Sequence, residues 1–157
     1  MGPISFIIAS NNNRVLIANL MSSPLFAKGN EHEIIIQKNF DSASIAYNDG
    51  IIKSKNDIIV FVHQDVYLPE GWDRKFLSVV AKLDNLKVKW GVLGVYGVNS
   101  EEQKYGCVYS NGLQKTLIGR KCIGEVDSLD ELLLAVRKSN NIYFDSQLPF
   151  FHLYGTD

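Results

Sequence analysis

Cysteine is scarce in this sequence: Cys107 and Cys122 are the only two among 157 residues. They form no C-x-x-C pair and no zinc-ligand spacing, so neither a disulfide framework nor a structural zinc centre is indicated. Two scattered thiols point to a reducing compartment, with a single bridge between them left open. An excess of one charge is lacking too. Sixteen basic residues oppose 17 acidic ones for a net charge of −1, which removes the electrostatic case for a nucleic-acid partner. Long hydrophobic runs are absent. The first apolar stretch, residues 4–10, is far short of the ~20 residues of a membrane span, and no basic leader precedes it. The expectation is a cytoplasmic chain without a transmembrane segment.

Glycine is missing where two large enzyme classes need it. After the first apolar run the chain reads Ser10-Asn11-Asn12-Asn13-Arg14. A dinucleotide-dependent oxidoreductase needs Gly-x-Gly-x-x-Gly there, so that backbone can approach the pyrophosphate. No Gly-Lys-Ser or Gly-Lys-Thr string occurs anywhere, which argues equally against a P-loop enzyme.

What is present is ordinary globular material. Apolar residues make up 46% and charged residues 21% of the chain, enough for a self-supporting core. With no repeat or low-complexity stretch, residues 1–157 read as a single domain. Short β-branched runs at 4–10, 33–37, 57–63 and 90–98 read as buried strands. Helices are expected over 13–22, 42–54 (with Ser42 as N-cap), 73–83 and, after an acidic start at Asp127-Ser128, over 129–138. Residues 105–121, punctuated by Gly106, Gly112 and Gly119, suggest a hairpin or an irregular excursion. Strands alternating with helices give an α/β fold: a mostly parallel sheet flanked by helices.

In such sheets ligands sit beyond the carboxyl ends of the strands. The residues delivered there are Ser10-Asn11-Asn12-Asn13, Lys38-Asn39-Phe40-Asp41, His63-Gln64-Asp65 and Gly97-Val98-Asn99. His63 and Asp65 lie two residues apart, on one side of an extended chain. A carboxylate there can hold a divalent cation that bridges two phosphates. The plainer alternative makes Asp65 a turn cap and His63 a hydrogen-bonded, partly buried ring.

The run Phe61-Val62-His63-Gln64-Asp65-Val66-Tyr67-Leu68-Pro69 resembles the metal motif of glycosyltransferase family 2-like proteins with a GT-A fold, with His63 at the position usually held by aspartate. Other stretches are similar to that family in the same order. Ile4 to Asn11 resembles its opening strand and base-binding turn, and Ser44 to Ile51 the helix lying near the nucleotide. Glu125 to Glu131, followed by Ala135-Val136-Arg137-Lys138, resembles the segment leading to the acceptor. Phe144-Asp145 and Phe151 to Asp157 resemble the stretch holding the catalytic acid/base. Members of the family continue past the position of Asp157 with helices that close over the donor, so the chain reads as a C-terminally truncated member.

The resemblance implies transfer of a sugar from a nucleotide-diphosphate donor to an acceptor hydroxyl on a glycan, a lipid-linked molecule or another acceptor, with inversion at the anomeric carbon. It implies manganese or magnesium held by Asp65 with His63, and His152 as a further ligand. Ser10, Asn11, Asn39, Asp41, Asn48 and Gln64 would contact the nucleotide, Asp157 would act as the catalytic base, and Asp127 and Asp130 would face the acceptor. The residues themselves leave other roles open: Asn48-Asp49-Gly50 as a helix stop, Asp127 and Asp130 as helix-start charges. Trp72 and Trp90 read as core aromatics, His32 as part of a solvated loop, and both cysteines as inert. The main rival reading is a non-catalytic sugar-nucleotide-binding module of the same fold.

Overall fold

A computed structural model describes residues 2–27, 29–120, 122–149 and 151. His152 and Asp157, expected as a metal ligand and the catalytic base, lie outside the described residues. The main sheet is built on β1 (Ser5–Ala9), β2 (Glu33–Gln37) and β3 (Ile58–Val62). All three run parallel, with β1 in the middle. The helices α1 (Asn13–Ala18), α2 (Ala43–Lys53) and α3 (Trp72–Asn85) alternate with them. Two short strands follow, β4 (Val92–Gly94) and β5 (Tyr96–Val98), then the hairpin β6 (Lys104–Ser110) and β7 (Lys115–Ile118). The last strands are β8 (Ser128–Leu129) and β9 (Leu133–Arg137).

The main sheet has the order β2-β1-β3-β9-β4, and β9 runs antiparallel to both of its neighbours. A second, wholly antiparallel sheet has the order β7-β6-β5-β8. The fold is therefore mixed α/β with a mostly parallel main sheet. Strand periodicity sorts the core into two layers. Phe6, Ile8, Val60, Val62, Leu133 and Ala135 face Leu16, Leu20, Phe26 and Val80. Ile7, Ile59, Phe61, Leu134 and Val136 face Ala43, Tyr47 and Ile51 of α2. That contact demands a glycine, because a Cβ at Gly50 would run into Ile7 Cγ2.

Three expectations need correction. Residues 129–138 are not a helix: they hold β8 and the buried strand β9. Leu133, Leu134, Ala135 and Val136 are all buried, and β9 pairs with β3 along its whole length and with β4 over residues 134–136. Asp127 and Asp130 therefore start no helix. Residues 90–98 split at Val95 into strands of different sheets, so Asn99 leaves the main sheet. Its side chain closes the β5–β6 turn by accepting from the amides of Glu101 and Gln103. Helix α1 stops at Ala18, followed by two 3-10 turns over Leu20–Ser22 and Pro24–Phe26. Ser42 does cap α2, accepting from the Ile45 amide, and the helix runs through Asn48-Asp49-Gly50 to Lys53.

His32 is no solvated loop residue either. Its Nδ1 accepts from the Ile4 amide, its Nε2 lies 3.2 Å from Asp73 Oδ2, and its ring packs edge-on to Phe6. Burial pushes the Asp73 carboxyl up, but the His32 bond and helix-start amides outweigh it and hold the group below its usual range.

Candidate functional site

The two ends of the parallel strands are finished differently. At the amino end, charges close the sheet. Arg137 donates to Asp57 at 2.8 Å and forks onto both oxygens of Asp84 at 2.7 Å, with its guanidinium 5.2 Å over the Trp90 ring. At the carboxyl end the stitching is by amides and hydroxyls. Gln64, directly after β3 and His63, reaches across to the end of β1. Its Oε1 accepts from Ser10 Oγ at 2.9 Å and from the Asn12 amide at 3.1 Å, while its Nε2 donates to Asn11 Oδ1 at 2.6 Å. The expected nucleotide residues Ser10, Asn11 and Gln64 thus form one bonded cluster. Ser10 is buried in it and Asn11 is exposed.

Asn39 and Asp41 lie exposed at the end of β2, and Asn39 takes a left-handed backbone with φ of 63°. Asn48 has a different employment. Its Oδ1 accepts from the Phe144 amide and its Nδ2 donates to the Phe144 carbonyl, at 2.9 and 2.8 Å. This two-point clamp fixes the Phe144 ring against Phe61 and Tyr47, with centroids 4.9 and 5.3 Å away. The side chain expected to contact the nucleotide thus spends its amide group on the Phe144 backbone.

His63 and Asp65 follow the fully buried β3. The His63 ring is half-buried and the Asp65 carboxylate is exposed. Among the described residues, neither side chain makes a hydrogen bond, so the turn-cap role for Asp65 has no bond behind it. The His63 amide donates to the Leu132 carbonyl at 3.1 Å, which docks the entry of β9 beside the motif. Asp130, Glu131 and Leu132 therefore arrive at the same edge as Asp65. The Tyr47 phenol reports this: burial, then the Glu131 and Asp65 carboxylates, push its pKa well above the ordinary value. Glu131 is the edge residue that sequence reasoning missed, because its place depends on β9 being a strand.

Asp130 Oδ1 accepts from the Leu132 amide and Asp127 Oδ2 from the Ser100 amide, so each carboxylate also shapes its own turn. Asp127 lies on the wall of a cavity of about 510 Å³ between Phe61, Leu134, Leu129 and the 142–148 segment. Among the described residues, no group of three or more His, Cys, Asp or Glu could hold a metal by itself. One exposed carboxylate beside a histidine still suits a magnesium-like ion, which commonly takes only one or two protein carboxylates and completes its shell with phosphate and water.

Residues 5–155 match the glycosyltransferase-like family. The chain belongs to that family. The match takes in both sheets and every residue of the carboxyl edge described above. No curated protein matches the sequence. Among the described residues no helix is long and apolar enough to cross a membrane.

Proposed function

We propose that this glycosyltransferase-like chain has a GT-A-type fold, binds a nucleotide-diphosphate sugar at the carboxyl edge of its main sheet and transfers the sugar, with inversion, to an acceptor hydroxyl. The observation that carries the reading is the placement of His63 and Asp65: a wholly buried strand holds them, and Gln64 locks them to the exposed turn after β1. Asn11, Asn39 and Asp41 are the exposed polar groups along that edge and receive the base and ribose. Asp65, assisted by His63, would hold a manganese or magnesium ion at that edge. When bound, that ion supplies positive charge for the departing phosphate oxygen.

The chain's own residues have two further tasks. A base at Asp157 takes the proton of the acceptor hydroxyl as its oxygen attacks the anomeric carbon from the face opposite the diphosphate. The new C–O bond forms as the bond to the diphosphate breaks, and the nucleoside diphosphate leaves with the electron pair. Asp127 and Asp130, on the segment that leads into β9, orient the acceptor.

Titration of the protein with UDP, GDP and CDP, with and without manganese, tests the donor site. Saturable binding to one base, tightened by manganese, is expected. No binding under any of these conditions would remove the reading. Release of the nucleoside diphosphate from a donor sugar in the presence of an acceptor then distinguishes transfer from a module that only binds.

A further inference from the structure

The β6–β7 hairpin is chemically unlike the rest of the chain. Residues 103–124 contain Lys104, Lys115, Arg120 and Lys121 and no acidic residue. The whole chain carries −1, so removing this segment's four positive charges leaves the remainder at −5. The described cations here are not neutralised by the fold. None of Lys104, Lys115 and Arg120 forms an ion pair among the described residues. Arg120 instead lies over the Tyr105 ring at 5.7 Å.

The same hairpin exposes large apolar side chains. The register pairs Cys107 with Ile118 and Tyr109 with Thr116, which puts these four on one face. Tyr109 and Ile118 are 60% and 59% exposed, and Leu113 at the tip is 59% exposed. The conformation is imposed by the backbone: Gly106 has φ of 92°, and a Cβ there would strike the Val95 carbonyl oxygen. Lys115, paired with Ser110, leaves the ribbon on the opposite face, so cations and solvent-facing Leu, Ile and Tyr flank the same narrow two-stranded ribbon, a combination that seats on an anionic lipid surface. The apolar groups enter the headgroup boundary, the tyrosine sits at its level, and the cations meet lipid phosphates. A symmetric hairpin-to-hairpin dimer is disfavoured as the occupant, since it would bring positive against positive.

We propose that the β6–β7 hairpin docks the protein peripherally on an anionic lipid membrane, through Leu113, Tyr109 and Ile118 with Lys104, Lys115 and Arg120. None of these residues belongs to the donor edge, and the test needs no activity. The full chain is mixed with vesicles of phosphatidylcholine alone or with about a third phosphatidylglycerol, and then sedimented. Binding to the anionic vesicles only, weakened by salt, is expected. Each basic residue near such a surface is worth about fivefold in partitioning, so the pair Lys104→Glu and Lys115→Glu should lower it by at least about 25-fold. A second variant, Tyr109→Ser with Ile118→Ser, should weaken binding while leaving the melting temperature unchanged. Three results would overturn the proposal. They are no binding to anionic vesicles, equal binding to neutral ones, or a concentration-dependent dimer that the same variants abolish.

Discussion

The two sheets use similar strands and meet water in opposite ways. In the main sheet, β3 is buried along its whole length and β9 along all but Arg137. Both are clamped between two apolar layers and an aromatic cluster of Tyr47, Phe61 and Phe144. In the second sheet, β6 and β7 contain no buried residue, and side-chain bonds close their turns. Stability is thus concentrated in the sheet that holds the motif, and the other sheet carries little of it. A rigid strand is needed where two side chains must keep a fixed geometry, as the proposed ion-holding pair must. A surface ribbon can spend its side chains on a partner.

The sharpest break of this contrast is Phe61→Ala. It should cost about 3–5 kcal/mol by urea unfolding, whereas Tyr109→Ala should stay within about 0.5 kcal/mol. Equal losses would show that the sheets share the load. Next in size is Asn48→Ala, which leaves the Phe144 amide and carbonyl without their clamp. A loss of about 1–3 kcal/mol is expected, with nucleotide affinity preserved, because the residue serves the Phe144 backbone. Gln64→Ala should cost about 1–2 kcal/mol and weaken nucleotide binding as well, since it frees the β1 turn from β3. Unchanged affinity there would detach Gln64 from the site.

The smallest effect is alkaline. The folded Tyr47 pKa is raised, so its contribution is complete below a phenol's ordinary value of 10.0 and is lost as pH climbs above it toward the folded value. Melting temperature should fall above that pH in the native protein and fall less in Tyr47→Phe. Asp65→Asn should lower the Tyr47 pKa, which absorbance of the phenolate reads directly.

Much of the main sheet was legible because its signals are local. Short β-branched runs marked β1, β2 and β3, Ser42 marked the start of α2, and helical spacing marked α3. The error over 129–138 has a plain cause. Leu132-Leu133-Leu134-Ala135-Val136 satisfies a helix and a buried strand equally, and only the vacant slot between β3 and β4 decides. Glu131 was hidden by the same error. The Gln64 bridge and the Asn48 clamp were unreadable for another reason: they join positions 52–54 and 96 residues apart. A sequence shows that such side chains can bond, and the fold selects the partner. His32 was misread similarly, its partner Asp73 being 41 residues away.

The measurement closest to the central claim is manganese-dependent nucleoside-diphosphate binding by the native chain and by Asp65→Asn. The donor-edge account predicts that Asp65→Asn melts like the native protein yet loses the gain in affinity that manganese confers. If both proteins bind with the same affinity and the same response to manganese, Asp65 does not hold the ion and the donor site lies elsewhere.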